Sequence, residues 1–351
     1  MIPLLYSLHS GNLYGTERMA LATIQALRDD FAPIIIAPAG PVHEEAWRLG
    51  IPTLTFISPA RYFRNLRPYF ANHKSVVSIG TRVLHTVTCS ALATIYRNRY
   101  ANIQVVHGGA DERLSYGRKR WLAYLNTKQV AVSEYVKERL IANGTESGNI
   151  SVIENFLPED RIEKAIQRPP IQTSGLQKVA VISRLDPIKR IDLLLDALEL
   201  DPSLSSIEFH IYGRGMDEEV LRARALAKHP NVRFLGFRTD VAERLAECDA
   251  LLHLCPNEPF GLAILEAMAS GLPVLVPDQG GAGAIVQDGR NGFRFRADDA
   301  WALADKLHYL RQAPVEVMRG VAAEGFRSLR TRFSAECGAE QYRKLIQECL
   351  A

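Results

Sequence analysis

The stretch Leu251-Leu252-His253-Leu254-Cys255-Pro256-Asn257-Glu258-Pro259-Phe260-Gly261-Leu262-Ala263-Ile264-Leu265-Glu266-Ala267-Met268-Ala269-Ser270-Gly271-Leu272-Pro273-Val274-Leu275-Val276 decides the fold. An apolar run ends near Cys255 and a Pro/Asn/Glu turn follows. A helix is predicted from about Gly261 until Gly271 stops it, and the next strand starts at Pro273. That order places a helix N-terminus at the carboxyl end of a parallel strand, where open α/β sheets bind ligands. The N–H groups of Phe260, Gly261 and Leu262, with the helix dipole behind them, favour an anion such as a phosphate. Glu258 and Glu266 are eight residues apart, too far to form one local pair. Facing one site together, they would grip two parts of an extended ligand. Carboxylates accept hydrogen bonds, which suits hydroxyl-rich ligands such as ribose and hexose.

Outward from this stretch, short apolar runs alternate with helical patterns. Leu4–Ser7, Ala32–Ala37, Ser75–Ser78, Gln104–Val106 and Gln129–Val132 read as strands of a first half. Lys178–Ile182, Ile207–Tyr212, Val232–Leu235, Ala250–Leu254 and Pro273–Val276 read as strands of a second. Ala20, Ile24 and Leu27 mark a first helix after Gly15, and Ile191, Leu194, Leu195 and Leu198 follow the i, i+3, i+4, i+7 stripe of another. Such alternation predicts parallel sheets with helices on both faces. The run Gln167-Arg168-Pro169-Pro170-Ile171-Gln172-Thr173-Ser174-Gly175 reads as a linker between the halves. A final helix presents Tyr342, Leu345, Ile346 and Cys349 on one face, so it must dock on something already formed.

Composition narrows the classes. The 351 residues suit two domains, and 47% hydrophobic content can fill their cores without staples. Against 39 acidic residues stand 42 Lys plus Arg, a formal charge of +3 with no long single-sign run. This excludes a strong nucleic-acid binder and a disordered acidic chain. The five cysteines are scattered and never form Cys-x-x-Cys, which argues against a disulfide framework or structural zinc and for a reducing compartment. Met1-Ile2-Pro3-Leu4-Leu5-Tyr6-Ser7 lacks the charged start of an export signal. No apolar run approaches the roughly 18–20 residues of a membrane span. The expectation is a soluble cytoplasmic protein.

The Glu258-to-Glu266 spacing within "NEPFGLAILEAMASGLPVLVP" resembles the E-x7-E signature of retaining GT-B glycosyltransferases of family 4. Ser183-Arg184-Leu185-Asp186-Pro187-Ile188-Lys189-Arg190 is similar to the family's G-R-L-x-x-x-K-G segment. The resemblance gives Arg184 and Lys189 to the donor diphosphate, and two cations beside a departing diphosphate would stabilise its charge. Ser183 and Arg190 replace the usual glycines. Asn12-Leu13-Tyr14-Gly15-Thr16-Glu17 is similar to the family's Gly-Gly-x-E loop with one glycine present, which makes Gly15 and Thr16 donor-site candidates. Val105-Val106-His107-Gly108-Gly109 resembles the T-x-H segment, and His107 matches the histidine held against the transferred sugar, as a hydrogen-bonding group rather than a base.

Ile211-Tyr212-Gly213-Arg214-Gly215 looks like the family's G-x-G turn, giving Gly213 to the donor site. It lacks the third glycine of a dinucleotide fingerprint, which disfavours a dehydrogenase. Val232-Arg233-Phe234-Leu235-Gly236-Phe237 resembles the strand whose end, at Phe237, meets the nucleobase. Gln279-Gly280-Gly281-Ala282-Gly283-Ala284 matches a later Gly-Gly loop, with Ala284 where the family has Glu, and Asn291-Gly292-Phe293 matches the turn after it.

The resemblance thus implies a GT-B fold: two Rossmann-like α/β domains with parallel sheets facing a central cleft. Residues 1–166 would form the acceptor domain, joined by a returning helix at about 335–351, and 167–334 the nucleotide-sugar domain. The implied reaction moves a hexose-type sugar from a nucleotide-diphosphate donor to a hydroxyl of a saccharide or lipid-linked acceptor, in polysaccharide or glycolipid assembly. Phe260, Gly261, Leu262 and Glu266 would bind the donor, with Glu266 on the ribose and Glu258 orienting the sugar. No metal or cofactor is expected, since the chain has no Asp-x-Asp motif. A nucleotide-sugar epimerase of the same fold and a non-catalytic two-domain binding protein are the rival readings. Arg61-Tyr62-Phe63-Arg64-Asn65-Leu66-Arg67-Pro68-Tyr69-Phe70 and the run from Arg113 to Tyr124 mix basic and aromatic residues. Such surfaces fit an anionic membrane on the inner face, an acceptor-site wall or ordinary amphipathic helices.

Overall fold

A computed structural model describes residues 1–109, 113–165, 171 and 175–351. The chain divides into two units, Met1–Pro158 with Ser334–Ala351, and Glu159–Phe333. The first division falls at Pro158, ahead of the expected 166, because the short helix Glu159–Glu163 already belongs to the second unit. Its Ile162 is buried, it packs on the Leu262–Ala269 helix, and Glu159 pairs with Arg330. Of the linker read at Gln167–Gly175, only Ile171 and Gly175 lie within the described residues.

The first unit holds strands β1 (Ile2–Ser7), β2 (Phe31–Ala37), β3 (Thr53–Thr55), β4 (Ser75–Gly80), β5 (Arg99–Val106), β6 (Lys128–Ala131) and β7 (Ile150–Val152). They form one parallel sheet in the order β3-β2-β1-β4-β5-β6-β7. Leu4, Leu5, Val76, Val77 and Ile79 are fully buried, as strands covered on both faces require. The second unit holds β8 (Lys178–Ile182), β9 (Glu208–Tyr212), β10 (Val232–Gly236), β11 (Ala250–Leu252), β12 (Val274–Pro277) and β13 (Phe293–Phe295). These are parallel in the order β10-β9-β8-β11-β12-β13. Each unit is a Rossmann-like α/β layer structure whose strand order reverses once, between β1 and β4 or between β8 and β11. The sequence reading misses β3, β7 and β13, three-residue edge strands too short to show alternation.

The helices bury the stripes that the sequence marks. Ala20, Ile24 and Leu27 of the Gly15–Leu27 helix are fully buried, as are Leu194 and Leu195 of Ile191–Leu200. The last helix, Ala335–Leu350, is capped by Ser334, whose hydroxyl accepts the Cys337 N–H at 3.3 Å. It lays Tyr342, Leu345 and Ile346 on the Gly15–Leu27 helix and β5. Arg343 Nε donates to Asp30 Oδ2 at 2.6 Å across that contact.

Gly338 permits this docking, since a Cβ there would stand 2.1 Å from Cδ1 of the buried Phe156 ring. Helix propensity alone would make Gly338→Ala stabilising by about 1 kcal/mol. The clash reverses the sign, and urea unfolding should show a net loss of about 1–2 kcal/mol.

Candidate functional site

In the second unit the chain leaves β8 and its sheet neighbour β11 towards opposite faces, so the loops after these strands lie beside an uncovered sheet edge. Ser183, Arg184 and Leu185 follow β8 and are fastened to the end of β9. Ser183 N donates to Tyr212 O and Leu185 N to Arg214 O, both at 3.0 Å. A Cβ on Gly213 would stand 1.7 Å from the Ser183 carbonyl oxygen, and one on Gly215 2.3 Å from that of Leu185. The Gly-Arg-Gly turn therefore sets the shape of the loop carrying Arg184. A short turn, Pro187–Lys189, and Arg190 at φ 54° then lead into the Ile191–Leu200 helix.

Lys189 and Glu258 meet here. Lys189 Nζ lies 2.6 Å from Glu258 Oε2, with the two side chains 17% and 15% exposed. His253, 7% exposed, brings Nε2 to 3.4 Å from the same oxygen. Burial opposes ionisation of Glu258, but His253 and the Lys189 ammonium outweigh it and hold the carboxyl well below the usual carboxylate range. Burial likewise works against the Lys189 charge, and Glu258 overcomes it, leaving the ammonium pKa above its ordinary value.

The turn holding Glu258 is braced by the Gly-Gly loop. Gly281 N donates to Glu258 O at 2.7 Å, and a Cβ on Gly281 would stand 2.1 Å from Pro259 O. Gly261, at φ 100°, precedes the Leu262–Ala269 helix, and a Cβ there would press on Ile264 at 2.8 Å. The helix thus begins one residue later than expected. Ile264 N–H is taken by Gly261 O at 3.0 Å, while the Leu262 and Ala263 amides have no acceptor within the helix. The Phe260 ring is buried edge-on against Phe333 at 5.9 Å, so only its backbone can face a ligand.

Around this centre the other candidates separate. Arg184 is 69% exposed and pairs with Asp186 at 3.0 Å on its own loop. Glu266 is partly buried on the helix. Phe237 is exposed beyond β10, and Gly213 has a packing task. Ala284 is exposed. Among the described residues no three His, Cys, Asp or Glu side chains gather as a metal site.

The first unit carries a second group at the matching edge of its sheet. Gly15 and Thr16 open the Gly15–Leu27 helix, and Glu17 in its first turn is buried, accepting the Tyr14 N–H at 3.1 Å. His107 follows β5; its Nε2 is buried without a hydrogen-bond partner among the described residues. Burial first, then the neighbouring His9 and Lys119, push the His107 pKa down to about 3, so the ring is neutral at pH 7. His9, after β1, contacts Thr81 Oγ1 at 3.2 Å through Nδ1. Lys119 is buried and donates to the Ser115 carbonyl, and burial pushes its pKa down to about 8.

Sequence reasoning misses His253, His9, Glu17 and Lys119. Lys119 is hidden in the basic–aromatic run. There Tyr116 and Leu122 are also buried, whereas Trp121 and Tyr124 are exposed and stacked at 6.1 Å, with Arg120 over Trp121 at 4.7 Å. The side chain of Arg113 and residues 110–112 lie outside the described residues.

Residues 163–319 match the family described as glycosyl transferases group 1, and residues 14–161 match glycosyltransferase family 4. A phosphatidyl-myo-inositol mannosyltransferase of Mycobacterium leprae is 33% identical over 201 residues, 56% of this chain and 52% of the relative, so the chain spans about half of that protein. A GDP-mannose-dependent alpha-mannosyltransferase of Mycobacterium tuberculosis is 28% identical over 289 residues, 78% of this chain and 72% of the relative. The crystal structure of Anabaena HepE with UDP and glucose superposes with a TM-score of 0.81 at 20% identity, over 99% of this chain and 100% of that one. That likeness is one of fold, and the fold is GT-B.

The Lys189–Glu258 pair sets a stability expectation. Removing either partner leaves a buried charge unmatched, so Lys189→Ala should cost about 3 kcal/mol, while the double variant Lys189→Met/Glu258→Leu recovers most of it. Because the folded Glu258 carboxyl lies below its ordinary value of 4.5, its contribution is present above that pH and is lost as the pH falls below it. Urea unfolding between pH 7 and 3 should show this decline in the native chain and a flatter one in Glu258→Gln.

Proposed function

The chain belongs to family 4 of the glycosyltransferases, and from that premise we propose that it moves a hexose from a nucleoside-diphosphate donor to a hydroxyl acceptor with retention at the anomeric carbon. The observation that carries this reading is the part-buried Lys189–Glu258 pair beside the start of the Leu262–Ala269 helix. A cation, a carboxylate and free helix amides at one sheet edge suit a ligand that is anionic at one end and hydroxyl-rich at the other.

In the proposed reaction Lys189, Arg184 and the Leu262 amide bind the diphosphate, and Glu258 turns to the sugar hydroxyls. Glu266 accepts from the ribose. The bond from the anomeric carbon to the phosphate oxygen breaks, and the acceptor oxygen bonds to the same face of that carbon. The acceptor proton passes to the departing phosphate. His107, neutral at pH 7, donates or accepts a hydrogen bond to the sugar rather than removing a proton. Catalysis then rests on positioning and on charge stabilisation by the two cations, with no divalent metal.

Both mycobacterial relatives are mannosyltransferases, one using GDP-mannose, and HepE was crystallised with UDP and glucose. They agree on a hexose and differ in the base. We take the acceptor to be a saccharide or lipid-linked saccharide in polysaccharide or glycolipid assembly on the cytoplasmic face of a membrane. In support, the first unit exposes Arg61, Phe63, Arg64 and Arg67 on one helix and Arg120, Trp121 and Tyr124 on another segment. Among the described residues no helix is long and apolar enough to cross a bilayer.

A panel of UDP-glucose, GDP-mannose and ADP-glucose should contain one compound that raises the melting temperature, because a ligand held only by the folded chain at 100 times its Kd adds about 2.7 kcal/mol. With that donor, release of free nucleotide should require an added acceptor; release without one would favour an epimerase. Lys189→Met should reduce turnover roughly 100-fold or more. Near-normal turnover would remove Lys189 from the diphosphate. Vesicles rich in anionic lipid should pellet the protein at low salt, less so for Trp121→Ala/Tyr124→Ala, and failure to pellet would leave the acceptor soluble.

A further inference from the structure

We propose that His253 is a positioning residue for Glu258, taking its carboxylate by hydrogen bond when Lys189 leaves it for the anionic end of a ligand. That the ligand is a nucleoside-diphosphate donor rests on the function proposed above. The handover itself rests on the arrangement of side chains at one carboxylate oxygen.

Two donors converge on Glu258 Oε2. Lys189 Nζ stands 2.6 Å from it, whereas His253 Nε2 stands 3.4 Å away, beyond the roughly 2.7–2.9 Å of a charge-assisted bond. This Nε2 is buried and has no hydrogen-bond partner among the described residues. A buried ring nitrogen in that state costs free energy that an apolar side chain at position 253 would avoid. The cost is recovered once the carboxylate needs a second donor.

The three groups differ in their freedom to move. His253 follows β11, and its N–H donates to Leu275 O at 2.9 Å, which ties it to β12. Glu258 sits on the turn braced by the 2.7 Å bond from Gly281 N to its own carbonyl. Lys189 ends the short turn Pro187–Lys189 and carries its charge on a flexible stem. Lys189 is therefore the group that an anion draws away, and its departure leaves Glu258, 15% exposed, without a cation. His253 is the other side-chain donor at that carboxylate among the described residues. A neutral imidazole with its proton on Nε2 donates to Oε2 and leaves Oε1 to ligand hydroxyls. Held in this way, the carboxylate keeps its charge and its place after the ammonium has gone.

The test uses the full chain with labelled histidine, where the His253 signals are those that His253→Gln removes. Inorganic pyrophosphate is the probe, glucose is the neutral control, and binding is read separately from the melting temperature. Pyrophosphate should bring out, saturably, an exchange-protected His253 Nε2–H proton shifted downfield, and glucose should not. Lys189→Met should show the same proton with no ligand added. His253→Phe keeps a ring but removes the donor, and should weaken pyrophosphate binding roughly tenfold; His253→Gln, whose amide donates, should keep most of it. Loss of Lys189 should lower the folding constant roughly tenfold further in the His253→Phe background than in the native chain. A side chain that only fills space would not respond to Lys189 or to pyrophosphate.

The handover is overturned if Lys189→Met leaves the His253 ring unchanged, or if the Lys189 and His253 substitutions add without coupling. Pyrophosphate that binds without moving the ring overturns it too, and does so in the native chain. If pyrophosphate does not bind while Lys189→Met still engages the ring, the diphosphate reading of this site falls and the handover stands.

Discussion

The reversal of strand order within each parallel sheet is the constraint from which the candidate sites follow. Helices on both faces cover most of a parallel sheet, but where successive connections leave adjacent strands towards opposite faces, the strand ends stay uncovered. In the second unit this happens between β8 and β11, which brings Lys189 and Glu258 together across 69 residues of sequence. In the first unit it happens between β1 and β4, and there His9 meets Thr81 across 72 residues. Candidate side chains gather at these edges because the topology leaves room for them, and no local sequence feature brings them there.

Backbone contact then fixes what the topology permits. The loop after β8 has its shape because Gly213 and Gly215 let the end of β9 press against the Ser183 and Leu185 carbonyls. The turn bearing Glu258 has its shape because Gly281 sits on the Pro259 carbonyl and bonds to Glu258 O. In both cases a side chain that could touch a ligand is aimed by a glycine that does not. Alanine at Gly281 would displace Glu258 without altering any charge in the site.

The sequence made legible what depends on local pattern. The strand–turn–helix from Leu251 to Val276, the buried stripe of Ile191–Leu200 and the docking face of the last helix follow from periodicity, and the E-x7-E spacing pointed to the family. Edge strands of three residues carried too little pattern to register. His253 and His9 look like isolated histidines in sequence, and their neighbours appear only when distant strands come side by side. Lys119 was obscured by its company, because a buried lysine within a run of exposed Arg, Trp and Tyr has the same composition as a surface. The Gly-Arg-Gly turn was noticed for a ligand role, whereas its observed contacts are with its own chain, a distinction that needs coordinates.

Lys189, part-buried, and Lys119, buried, show how one residue type meets different surroundings. Lys189 has Glu258 as a counterion, which raises its pKa despite burial, whereas among the described residues Lys119 has a carbonyl as its acceptor and burial pulls its pKa down to about 8. An anion approaching Lys189 must compete with a carboxylate, and success frees that carboxylate to accept hydrogen bonds from the hydroxyls of the same ligand. The pairing therefore keeps both groups charged in the free protein and links recognition of an anionic end to recognition of a polyol end. In the proposed reaction, binding at the second unit is thus an exchange of partners, which favours discrimination between ligands.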